Sequence, residues 1–465
     1  PYGFKVNDSF YANQLIEIRG QHGLILSSEL YDYSSTADME VWHWTPNRAV
    51  DSAAAGNELE FMVSGLGSQF KAYFHLISWD DSEDYSDGFW VTIGESKSRT
   101  DPSWTKRNID TSFSGATAVY AIDVDGDGDL DVLGAADTAN DITWWENDGT
   151  PSNGGWTEHT IDTAFNTARD VHAVDLDKDG DMDILGASAG ADEVVWWEND
   201  GSESFTERVI DDNFNGVEGI YPADIDGDGD MDVVGVANED DDIVWWENTA
   251  TFSFDPTWTT LSVNTDADGA VDIFVADIDG DGDLDIVAAL NRDNQVAWYE
   301  NDGDPSDGGW THHIIKDYTD PCGICGGIEA VFVADIDNDG DLDVISANGG
   351  DDDVEWYANS GDGSSWTKHD IVSGEDDADG ASAVFAADID NDGDMDIVAA
   401  FFMISKVAWY ENDGSPSNGG WTTHNVNTPD NANGAEDIFV ADIDNDGDLD
   451  IVEQEQTSNK VYWYE

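Results

Sequence analysis

From about residue 100 onward, apolar positions fall in short runs of β type separated by turns rich in Gly, Asn and Asp. The runs recur in a fixed order. A stretch such as Val132-Leu133-Gly134-Ala135 is followed by a second that ends in an aromatic pair, usually followed by Glu-Asn. The pairs are Trp144-Trp145, Trp196-Trp197, Trp245-Trp246, Trp298-Tyr299, Trp356-Tyr357, Trp409-Tyr410 and Trp463-Tyr464. A polar turn then leads to a third run, opening at Trp156, Phe205, Trp258, Trp310, Trp366 or Trp421. A fourth, such as Val171 to Asp175, runs into an acidic loop. The period is 49 to 58 residues. Four short strands cannot bury both faces alone, so successive units must pack on one another, and units of this length and content predict propeller blades. Neighbouring residues on a strand point to opposite faces, so each aromatic pair can fill the gaps to both adjacent blades.

The ends of the pattern sharpen this expectation. The last period stops at Glu465, after its aromatic pair and without its Trp-Thr run. One such run is left over, at residues 104–109, before the first acidic loop. This strand is expected to complete the seventh blade and close the ring, leaving no open edge. The propeller is placed at residues 99–465. Residues 1–98 contain no copy of the repeat. They alternate instead, as at Ile16 and Ile18 against Glu17 and Arg19, or at Leu59, Phe61 and Val63. Six or so strands predict a small β-sandwich of immunoglobulin or jelly-roll type, so the chain reads as all-β throughout.

Seven loops carry the candidate chemistry. Each has Asp at alternate positions: Asp123, Asp125, Asp127, Asp129 and Asp131; Asp175, Asp177, Asp179, Asp181 and Asp183; Asp224, Asp226, Asp228, Asp230 and Asp232; Asp277, Asp279, Asp281, Asp283 and Asp285; Asp335, Asp337, Asp339, Asp341 and Asp343; Asp388, Asp390, Asp392, Asp394 and Asp396; Asp442, Asp444, Asp446, Asp448 and Asp450. Alternate carboxylates on a tight loop converge on its concave side, and Gly at the sixth position permits the sharp turn. Such an oxygen-rich site suits Ca²⁺, which takes six to eight oxygen ligands. In the first copy, side-chain ligation is assigned to Asp123, Asp125, Asp127 and Asp131, with Asp129 contributing its backbone carbonyl. The twelfth position carries Leu133 rather than a Glu, and strands flank the loop, so it is not an EF-hand. About seven structural Ca²⁺ ions are expected.

Charge extends the picture. With 103 acidic and 16 basic residues the net charge is −87, which excludes nucleic acid and anionic membranes as partners. The seven loops use 35 of these acids; the rest coat the surface. No apolar stretch is long enough to span a membrane. The chain begins at Pro1 without Met, as expected of a processed, mature form. Two cysteines, Cys322 and Cys325, are read as a loop-pinning disulfide in an oxidising compartment. Asn7-Asp8-Ser9 is a glycosylation sequon.

On these loops, residues 104–465 resemble the FG-GAP/VCBS repeat family, whose members resemble the seven-bladed propeller of integrin α-subunits. The copies match Asp-x-Asp-x-Asp-Gly-Asp-x-Asp throughout but lack the Phe-Gly…Gly-Ala-Pro signature, which argues against an integrin-like ligand face. The resemblance implies an extracellular protein of adhesion or scaffolding rather than an enzyme. Three functions compete. The first is a structural or adhesive cell-surface protein, assembled through residues 1–98 by strand addition into a pilus-like filament. The second is a glycan-binding module using loop aromatics (Phe165, Phe214, Phe252, Phe254, Phe401 and Phe402). The third is a polysaccharide-active enzyme, the least favoured, since carboxylate pairs are everywhere in this sequence and no other catalytic constellation stands out.

Overall fold

The computed structural model describes residues 103–465 apart from 250–255, 319–326, 375–377 and 428–433, and of residues 1–102 the backbones of seven strands. Two compact units result, Pro1–Thr100 and Asp101–Glu465. In the first, Met39–His43, Tyr2–Val6, Phe70–Leu76 and Phe89–Ile93 pair in that order as one antiparallel sheet. Leu26–Glu29, Leu15–Gly20 and Leu59–Val63 form a second. The immunoglobulin or jelly-roll packing expected here, the Asn7 sequon and the Cys322–Cys325 pair all lie outside the described residues.

Apolar alternation and turn chemistry give the second unit seven four-stranded antiparallel sheets, six of them simple meanders. Blade 1 comprises Ala116–Ile122, Asp131–Ala136, Asp141–Asn147 and Trp156–Asp162. Blades 2 to 7 begin at Ala168, Val217, Ala270, Ile328, Ala381 and Ala435. The first strands touch their neighbours in a closed cycle, so they line the axis. Blade 7 is completed by Lys106–Asp110, which pairs antiparallel with Lys460–Tyr464. Thr105 N–H donates to the Glu465 carbonyl at 2.7 Å, and Arg107 Nε donates to the Glu465 carboxylate at 2.6 Å.

Between blades the core is aromatic and aliphatic. Both members of every aromatic pair are at most 3% exposed, which makes them packing residues. Phe165, Phe214 and Phe401 are likewise buried, at 4% or less. That corrects their reading as loop aromatics for a sugar: they fill the gaps between sheets. Phe252 and Phe254 lie outside the described residues. Four histidines of the outer strands stack on the first Trp of their blade, as His159 does on Trp144 at 4.4 Å and His313 on Trp298 at 4.5 Å. On the axis, the fifth residue of each first strand is aromatic: Tyr120, His172, Tyr221, Phe274, Phe332, Phe385 and Phe439. Their centroids form an unbroken ring with spacings of 4.6–5.8 Å.

Candidate metal centres

Each acidic loop joins the first and second strands of a blade, so all seven lie at one end of the propeller. The aspartates fold the loop by accepting its own amides. In the first copy Asp123 Oδ1 accepts Gly126 N–H at 2.8 Å and Asp127 N–H at 3.1 Å, while its Oδ2 accepts Gly128 N–H at 3.0 Å. Asp125 accepts from Asp127 N–H, and Asp127 from Asp129 N–H, at 3.0 and 2.9 Å. Two residues take positive φ. The sixth is always Gly, with φ of 91–105°, where a side chain would be strained. The fourth sits in the left-handed region at 57–76° and admits Asn and Lys as well as Gly.

This winding turns carboxylate oxygens inward. One oxygen from each of Asp123, Asp125 and Asp127 lies within 4.8 Å of the others. The same holds for Asp175, Asp177 and Asp183, for Asp224, Asp226 and Asp232, for Asp277, Asp279 and Asp285, and for Asp335, Asp337 and Asp339. Four of these loops hold a buried oxygen with no hydrogen-bond partner, on Asp175, Asp224, Asp277 and Asp337. A buried, unpartnered carboxylate oxygen is costly unless a cation completes it. The donor set is wholly oxygen and anionic, which fits a hard divalent ion such as Ca²⁺.

The ninth position differs from the others. Asp131 is fully buried; its Oδ2 accepts Val124 N–H at 3.0 Å and its Oδ1 accepts Asn147 N–H at 2.8 Å. Its counterparts Asp183, Asp232, Asp285, Asp343 and Asp396 bond in the same two ways. Burial pushes the carboxyls of these six up to about 7, against the pull of the two amides. Burial takes Asp450 up to about 8. At the third position, burial raises Asp177 to about 6, and the adjacent Asp179 and Asp175 charges add to it.

The seventh-position aspartates face the neighbouring blade. Asp129 accepts Asn445 Nδ2 at 3.1 Å, Asp394 accepts Asn338 Nδ2 at 3.0 Å, and Asp230 pairs with Lys178. In these three loops the side chain braces the loop of the neighbouring blade.

A further residue, missed in the sequence reading, is the Asn that closes the Glu-Asn motif. Asn359 Nδ2 donates to the Leu342 carbonyl of its own loop at 3.0 Å and to the Ile278 carbonyl of the preceding blade's loop at 2.8 Å. Asn147, Asn301 and Asn412 donate the same pair of hydrogen bonds, Asn147 reaching from blade 1 to Ile443 of blade 7. The signal was present, since Glu-Asn or Ala-Asn follows six of the seven aromatic pairs.

The pattern of a family described as FG-GAP-like repeat matches residues 123–186, 175–235, 224–288, 277–346, 335–399 and 401–453. The first five of these matches start at the first Asp of an acidic loop. No curated protein matches the chain. Among solved structures, BBS1N in complex with ARL6DN is 12% identical, covering 78% of this chain and 96% of that one at a TM-score of 0.49. A protein from Lactobacillus plantarum is 13% identical, covering 79% and 95%, also at 0.49.

Proposed function

The chain belongs to the FG-GAP-like repeat family, and from that premise we propose that it is a calcium-stabilised structural or adhesive protein of the cell surface. The observation that carries the calcium part is the set of convergent loop carboxylates with unpartnered buried oxygens. Extracellular calcium modules work at Kd of roughly 10⁻⁴–10⁻³ M, a range met by free calcium outside cells. At calcium about tenfold above Kd each site stabilises the fold by about 1.4 kcal/mol. Seven sites together give on the order of 10 kcal/mol, as much as the net stability of a domain. The ions therefore hold the ring together and do no chemistry; the protein is non-catalytic.

Residues 1–98 are the attachment and assembly domain in this proposal, a β-sandwich ahead of a propeller at 99–465. The closing strand already covers the Lys460–Tyr464 edge within the ring, so that edge has no place for another chain. The N-terminal unit, which has strands and no repeat, supplies the self-association, building a filament by head-to-tail contacts. Negative-stain electron microscopy of native material tests this. Filaments or regular arrays are expected, and dispersed single particles would count against assembly while leaving the calcium role standing.

A further inference from the structure

The axis of the propeller encloses a cavity of about 880 Å³, walled by the first strands of all seven blades. One tier of its wall is the aromatic ring. A sevenfold ring turns each blade about 51° from the last, and neighbouring axial aromatics make interplanar angles of 39–65°. Rings lying flat across the axis would make angles near zero. These rings therefore stand upright, parallel to the axis, and surround a passage walled by four Phe, two Tyr and one His. Spacings of 4.6–5.8 Å on seven members set the centroids about 6 Å from the axis, leaving a bore that an aliphatic chain can thread.

Two residues earlier on the strands, about 7 Å toward the end opposite the acidic loops, the wall changes to carboxylate. Asp170, Asp272 and Asp437 stand there, and Glu329 and Glu436 come one residue earlier still on their strands. Asp272 and Asp437 each accept an amide of the next blade, Val331 N–H at 2.8 Å and Val119 N–H at 2.9 Å, which fixes their place. Both lie deep in the molecule yet are only half-buried, as groups facing an internal cavity must be. Two guanidiniums and the His172 imidazole reach the cavity, and each has a partner, His172 lying 3.6 Å from Asp170. Arg169 pairs with Glu218 at 3.2 Å, and Arg292 with Asp241 at 3.4 Å. Among the described residues, Asp272, Glu329, Glu436 and Asp437 have no cationic partner within 4.0 Å. Burial, and then the charges of Glu329 and Asp437, push the Glu436 carboxyl up to about 7.

We propose that this cavity binds a linear primary alkylammonium ion, its head among Asp272, Glu329, Glu436 and Asp437 and its chain threaded through the aromatic ring. The charge tier supplies what an ammonium needs, and the aromatic tier beyond it supplies the ring surface on which a methylene chain packs. Divalent cations satisfy the first tier alone, and neutral alkanols the second alone. A lysine side chain offers the same groups in reverse order along its length.

The test is calorimetric titration of the full-length, calcium-saturated protein at 0.15 M NaCl with ethyl- to hexylammonium. One saturable site per chain is expected, tightening about fourfold per methylene, with no binding of hexanol. The double substitution Glu329→Gln and Glu436→Gln should weaken hexylammonium at least tenfold and leave the calcium-loaded melting temperature unchanged. A blocked lysine amide should bind at least tenfold more weakly than hexylammonium; equal binding would uphold the site and assign it to a lysine-bearing partner. The proposal is overturned by the lack of a saturable site, by affinity independent of chain length, or by unchanged binding in the double variant, each of which assigns amine uptake to the acidic surface at large.

Discussion

A β-carbon added at Gly134, Gly186 or Gly235 would stand 2.7, 2.8 or 2.5 Å from a ring carbon of Trp145, Trp197 or Trp246. These three blades also place a Phe edge-on against that Trp, at 4.9–5.0 Å. In the four blades whose second aromatic is Tyr, the glycine position holds Ala288, Ser346, Ala399 or Glu453. The larger ring thus requires the missing side chain. Gly134→Ala should cost about 1–3 kcal/mol through overpacking, and Trp145→Tyr in the same chain should restore most of it. Denaturant unfolding of the two single variants and the double reads this coupling directly. Simple addition of two losses would contradict it.

At the scale of the element, the acidic loop is held from three sides: by its own amides, by the Asn of the third strand and by the loop of the adjacent blade. Asn359→Ala would orphan two carbonyls, at Leu342 and Ile278, and should cost about 1–3 kcal/mol. Chemical denaturation in calcium checks it, and a loss confined to a few tenths would show the clamp to be ornamental. Seven blades of four strands were legible in the sequence because every copy repeats the same local pattern. The clamp was not, because the recurring Asn is visible but one of its two partners sits some 80 residues away on another blade, a pairing no local pattern encodes. The aromatic ring on the axis was hidden for the same reason, since Tyr, His and Phe alternate there without a common motif.

The loops also set the pH response of the calcium-free chain. Carboxyls normally near 3.8 are held at about 7 in Asp131, Asp183, Asp232, Asp285, Asp343 and Asp396. The folded form then keeps protons that the unfolded form releases, so stability is greatest below pH 4 for this contribution and falls as pH rises through 7. Calcium binding to the deprotonated loops should reverse the trend. The gap between calcium-loaded and calcium-free melting temperatures should widen from pH 5 to pH 8, as followed by differential scanning calorimetry. A constant gap would mean that the ninth-position aspartates do not respond to the ion.

For the whole molecule, closure of the ring separates two truncations. Removing residues 1–98 leaves Lys106–Asp110 in place and should give a monomeric propeller. Removing residues 1–110 uncovers the Lys460–Tyr464 edge, which should pair between chains and aggregate. Light scattering after size exclusion distinguishes them, and two equally monodisperse products would show that the closing strand is dispensable. The central claim, however, is that cations make this ring foldable in a chain of −87 net charge. The most direct measurement is the melting temperature of the full chain on titrating Ca²⁺ into metal-stripped protein, with bound calcium counted in parallel. About seven ions per chain and a steep rise in melting temperature, reversed by EDTA, are predicted; a melt indifferent to calcium and EDTA would contradict the account.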